Sequence, residues 1–95
     1  MNIKDVAKLK NEVNASVIFK TENSIVTAIN IQKGGLLKEH ITKTTALLLC
    51  VNGVALFENE NGEAITLKHG DFLEIKPMIK HWVKGIEDSN LILVK

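Results

Sequence analysis

The stretch GGLLKEHITKTTALLLCVNG, Gly34–Gly53, decides how this chain is read. Paired glycines open it and Asn-Gly closes it. Between them lie one histidine, His40, and an apolar run, TALLLCV. That run is too short for a typical buried helix and reads as a strand. It is apolar on both faces. One face can fill an interior, and the other needs a cover: an opposing sheet edge, the N-terminal segment or a second subunit. Asn52-Gly53 predicts a hairpin, because both central residues of a type I′ turn take positive φ. VALFE is then the return strand.

Outward from this block, the chain alternates short strands with turn signals. SVIFK is a β-branched and aromatic run, TENS a turn, and IVTAINIQ a longer strand with Ile25, Thr27, Ile29 and Ile31 on one side. Asn59 to Gly62 makes a turn before EAITLK. His69-Gly70-Asp71 turns again before FLEIK, and HWVKG and NLILVK close the series. Such spacing predicts an all-β sandwich or barrel. The exception is residues 3–10, where Ile3, Val6 and Leu9 share one face of a two-turn helix that must dock on something. Residues 1–14 are therefore expected to form helix and linker, and residues 15–95 the barrel.

The sequence has 95 residues, room for one domain. A core of that size supports a net stability on the order of 5 kcal/mol, which dimerisation would supplement, and a homodimer is expected. Charged residues are 24% of the chain and the net charge is +1, which supplies no basic footprint for nucleic acid. MNIKDVAKLK interrupts its apolar positions with charges and reads as neither a signal peptide nor a membrane span. One cysteine, Cys50, forms no internal disulfide, and a reducing cytoplasm is the expected compartment.

The order glycine turn, histidine, apolar strand, Asn-Gly, Gly-Asp, proline, histidine resembles the cupin family over roughly Ile25 to Val94. The resemblance implies a double-stranded β-helix, or jelly-roll barrel. The family's first motif holds a glycine, a His-x-His pair, a glutamate and a closing glycine. Anchored on Gly53, it places His40 at the first histidine, Thr42 at the second and Ala46 at the glutamate. In the second motif Gly70-Asp71 is the opening turn and Pro77 lies one place beyond the usual proline. Met78 stands at the usual glycine, His81 at the ligand histidine and Gly85 at the final asparagine.

Metal-binding cupins offer three histidines and a carboxylate to one cation, a donor set that suits first-row metals. Here the resemblance leaves His40 and His81 as candidate metal ligands, two donors where a catalytic zinc usually has three. The expected function is therefore a cupin-like barrel with a degenerate metal site, non-catalytic or binding a small polar or anionic molecule through His40, Thr42 and His81. No cofactor is expected. The alternative is a metal-dependent isomerase or dioxygenase of the cupin type on His40 and His81, with Glu74 as the one further ligand. Glu39 neighbours His40 but faces the opposite way, and Glu58, Glu60 and Glu63 read as a solvated hairpin tip.

The remaining chemistry-bearing residues have ordinary structural readings. His69 is a turn residue. Cys50 shares the parity of Ala46 and Leu48 and reads as a small buried hydrophobe, with a Cys–His pair as the reactive alternative. Trp82 faces away from the barrel if His81 faces in, toward a dimer contact, the N-terminal helix or ordinary packing. Lys33, Lys38, Lys43, Lys76, Lys80 and Lys84 are expected near the strand ends that carry the histidines, as a solvated rim or an attraction for an anion.

Overall fold

A computed structural model describes residues 1–5 and 12–95. Nine strands form among them: β1 (Val13–Lys20), β2 (Ile25–Ile31), β3 (Leu36–His40), β4 (Ala46–Asn52), β5 (Ala55–Asn59), β6 (Ala64–Leu67), β7 (Phe72–Ile75), β8 (His81–Gly85) and β9 (Ser89–Val94). One sheet has the order β1-β2-β9-β4-β7 and the other β3-β8-β5-β6. All pairings are antiparallel. The N-terminal helix expected over residues 3–10 lies largely outside the described residues. Within the described part of its span, residues 3–5 form a turn, with Asp5 N donating to Asn2 O (2.9 Å). The first strand starts at Val13, inside the segment assigned to the linker.

The period-two pattern explains the core. Ile29 and Ile31 of β2, Ala46, Leu48 and Cys50 of β4, and Leu91 and Leu93 of β9 point inward from the five-stranded sheet. Phe57, Leu67 and Val83 meet them from the other sheet. On the outer face of the five-stranded sheet, Asn90 Nδ2 donates to Asn52 Oδ1 (2.8 Å) and Asn30 Nδ2 donates to Asn90 Oδ1 (3.2 Å). This amide row crosses β2, β9 and β4 and helps to fix their register. The same outer face also carries exposed Phe72 and Leu47. Among the described residues no helix is long and apolar enough to cross a membrane.

The expected Asn52-Gly53 hairpin does not form. β4 pairs with β7 and β9, whereas β5 pairs with β6 and β8. Gly53 does take positive φ (87°), but Asn52 does not, and a type I′ turn needs both. The Asn-Gly pair instead carries the chain from one sheet to the other. A Cβ on Gly53 would collide with Asp88 O and the Ser89 side chain, so this crossing packs tightly on the β8–β9 turn. Ser89 Oγ reinforces the contact by donating to Val54 O (2.9 Å). Gly85 is similarly confined: a side chain there would strike Gln32 O and Ile31. No asparagine fits at this end of the second motif.

Met78 retains the backbone that the resemblance assigns to glycine. Its φ is +65°, and it is the one non-glycine residue with positive φ among those described. Its N–H donates to Thr42 O (2.8 Å) and its side chain is 64% exposed, so the side chain has little packing to lose. Left-handed backbone disfavours an L-residue by about 1 kcal/mol. Met78→Gly is therefore expected to keep or raise stability by up to about 1 kcal/mol, while Gly53→Ala lowers it by about 1–3 kcal/mol or more. Urea midpoints of the two variants check this opposition.

Candidate functional site

Register brings the two candidate histidines together. β3 and β8 are antiparallel, and His40 lies opposite His81 after an irregularity between Leu37 and His40. The Nε2 atoms stand 2.9 Å apart. The ring centroids are 4.1 Å apart with planes at 63°. Each Nδ1 faces a main-chain carbonyl two residues back on its own strand side: His40 faces Lys38 O at 2.9 Å and His81 faces Ile79 O at 3.1 Å. His81 is 1% exposed and stacks on Phe57, with centroids 5.6 Å apart.

Around the pair the interior is filled. The hollow touching both rings has a volume of only about 10 Å³ and is walled by Ile29, Leu37, Leu48, Ile75, Val83 and Leu93. A second hollow, about 50 Å³, lies on the other side of His81, with Phe57, Asn59, Glu63, Glu74 and Lys76 among its walls. Asn59 sits beside His81 in the β5–β8 register. Its Nδ2 donates to Glu63 Oε1 (2.9 Å), and its Oδ1 accepts from the Asn61 and Glu63 N–H groups (3.0 and 3.1 Å). His40, His81 and Asn59 thus form a polar row across one end of an apolar core. In sequence Asn59 reads as a turn residue and Glu63 as part of a solvated hairpin tip; cross-strand register is what places Asn59 beside His81, and Asn59 in turn holds Glu63.

Thr42 lines an open depression with Lys20, Ser24, Lys43 and Lys95 and is not among the walls of either hollow beside the rings. Its hydroxyl is buried and lacks a hydrogen-bond partner among the described residues. Glu74 shares the parity of Phe72 on the outer face and lines the larger hollow. His69 is an exposed turn residue. Cys50 is fully buried in the core; burial first, then the Asp71 charge, pushes its thiol above the ordinary value, away from the thiolate a nucleophile needs. The lysines separate. Lys76 lines the larger hollow, but Lys84 lies opposite Leu36 at the far end of β3, and Lys33 N donates to Asp88 Oδ1 (2.8 Å) beyond it. Trp82 faces outward, its Nε1 donating to Glu58 Oε1 (3.1 Å), which also binds Lys84 Nζ (2.9 Å).

Solved structures share this architecture. An uncharacterised conserved protein with a double-stranded β-helix domain from Klebsiella pneumoniae superposes with a TM-score of 0.85 at 23% identity, over 99% of this chain and 85% of that one. A cupin superfamily protein from Desulfitobacterium hafniense gives 0.82 at 16% identity, over 90% and 77%. KdgF from a Halomonas species gives 0.79 at 19% identity, over 90% and 81%. The chain has a small cupin fold. In sequence, no family model and no curated protein matches it.

The cupin metal set does not fit these residues. The second-histidine position holds Thr42, a neutral hydroxyl, and the glutamate position, Ala46, is a buried apolar residue paired with Ile75. Among the described residues, no three His, Cys, Asp or Glu side chains group as metal donors. Two imidazoles remain, with their Nε2 atoms facing each other at 2.9 Å.

Burial pushes the His81 imidazole below its ordinary value. The Ile79 carbonyl opposes this, and the charges of His40 and Lys95 add to the burial effect. A base whose folded pKa is lowered contributes full stability above its unfolded value, about 6.5, and loses it as the pH falls below that value, because the unfolded chain takes up the proton. Acidification from neutrality is thus expected to lower stability, with a slope of up to about 1.4 kcal/mol per pH unit for this one site. Urea midpoints measured against pH, with a shallower slope in His81→Gln, check it.

Proposed function

We propose that this protein is a metal-free, non-catalytic cupin-fold module that binds a small polar molecule in the hollow beside His81. The supporting observation is that both Nδ1 atoms are held by main-chain carbonyls and the two Nε2 atoms face each other at 2.9 Å in an apolar surround, while the adjacent hollow keeps a polar wall. Asn59, Glu63, Glu74 and Lys76 give that wall donors and acceptors of both charges. Such a wall suits a compact ligand with a carboxylate or amide head. A volume of about 50 Å³ holds about four waters, taking 10–15 Å³ for each. A ligand of about four heavy atoms gains at most about 6 kcal/mol, a dissociation constant no tighter than tens of micromolar.

The alternative, a metal-dependent isomerase or dioxygenase on His40 and His81, requires donors that the described residues do not bring to the pair. Metal analysis of protein purified without chelator separates the two readings. The expected result is a substoichiometric trace. Stoichiometric iron, nickel, manganese or zinc that disappears in His40→Ala would establish the metal reading instead. A thermal-shift screen of small carboxylates and amides at millimolar concentration tests the ligand. At a hundred times its dissociation constant a true ligand adds about 2.7 kcal/mol of stability. That gain should shrink in Lys76→Ala and persist in His69→Ala.

A further inference from the structure

We propose that the outer face of the five-stranded sheet is the contact surface of a homodimer, covered by the same face of a second copy of this chain. Cross-strand register lays that face out in three rows. Phe19, Val26, Val94, Leu47 and Glu74 form the first, running from β1 across β2, β9 and β4 to β7. Ser16, Ala28, Ile92, Leu49 and Phe72 form the second. The amides Asn14, Asn30, Asn90 and Asn52 form the third. The chain has three phenylalanines. Phe57 is in the core, but Phe72 is 69% exposed and Phe19 is 58% exposed, one at each edge of this face. Leu47 is exposed between them, and Val26, Leu49, Ile92 and Val94 are half-buried. A phenylalanine left in water forgoes the burial of about 150–250 Å² of aromatic surface. Other exposed apolar residues, such as Leu36, Ile65 and Ile86, lie singly on the second sheet or in a turn and need no cover.

Size and chemistry select a second copy as the cover. Five strands about 4.8 Å apart and three rows about 6.8 Å apart span about 24 by 20 Å, on the order of 500 Å². Two such faces bury about 1,000 Å², the least that a specific interface needs. Glu74 is the one charged residue in the three rows, and it stands at the β7 rim. A partner of opposite charge therefore finds nothing to pair with in the centre. An anionic lipid surface meets a carboxylate instead of the lysines it needs. A second copy meets no such conflict. β9 is the middle strand of the five, so a two-fold axis along it, midway between the copies, gives the fullest overlap. Each row then lies near its own counterpart, and apolar rows meet apolar rows. Asparagine amides carry donors and acceptors together, so the amide row also complements itself. The two phenylalanines fall on opposite sides of the axis, where each closes one flank of the contact.

Sedimentation equilibrium of the full chain, from micromolar to millimolar concentration, reads the association. The mass is expected to rise to twice that of the chain. Phe19→Glu and Phe72→Glu should each weaken the association about tenfold or more, because an unpaired carboxylate replaces an aromatic anchor. Ile86→Glu, at an exposed apolar position in the β8–β9 turn, should leave it unchanged. Isotope-filtered NMR of a mixture of labelled and unlabelled chains gives a readout free of substitution. Contacts from the Phe19 and Phe72 rings to the other copy are expected. A chain that stays monomeric at every concentration would overturn the inference, as would a dimer that both glutamate variants leave intact. Ring contacts confined to residues 1–11 of the same chain would overturn it in favour of the N-terminal segment as the cover. Binding of a monomer to phosphatidylserine vesicles, abolished in Phe72→Glu, would overturn it in favour of a lipid surface.

Discussion

Left-handed backbone at the sheet crossings is the constraint on which this fold depends. The chain changes sheet at β2–β3, β3–β4, β4–β5, β6–β7, β7–β8 and β8–β9. At four of these six crossings one residue has positive φ: Gly34, Gly53, Gly70 and Met78. A strand can reverse within its own sheet by a hairpin, but leaving the sheet needs a sharper change of direction over few residues. Left-handed φ supplies it. Gly62 serves the β5–β6 hairpin in the same way. The core then follows from alternation alone, since each crossing hands the next strand to the opposite wall with one apolar face already inward.

The sequence was legible where a local rule decides. Turn residues, strand parity and the inward direction of Ala46, Leu48 and Cys50 all rest on period-two spacing. The outward direction of Trp82 follows from its place next to His81. What failed required knowledge of partners across space. Asn-Gly demands positive φ at Gly53, but the dipeptide does not say which sheet receives the next strand. Met78 breaks the glycine rule while its backbone keeps it, which no residue-type rule reveals. Thr42 lies beyond the end of β3, so strand parity does not say which way it faces.

The polar row is the costliest part of the interior. A buried imidazole, a half-buried one, Asn59 and an apolar floor share one end of the sandwich, and each buried polar atom there needs a partner. Neighbours in register supply them: His40 for His81, main-chain carbonyls for both Nδ1 atoms, and Glu63 for Asn59. These contacts hold Asn59 and both Nδ1 atoms from within the row. Of the two hollows beside the rings, the second is the roomier, about 50 Å³ against about 10 Å³.

The position of β9 carries a consequence for how the chain comes to be folded. It sits between β2 and β4, so neither half of the five-stranded sheet can join the other before the ninth strand is present. During synthesis, β1–β2 can close as an isolated ribbon, yet Ile29, Ile31 and Leu48 have no complete wall to enter. Isolated two-stranded ribbons are marginal in water, and long-range pairing of this kind is slow. The five-stranded sheet therefore closes only once β9 is available, and until then its apolar strands are exposed to aggregation.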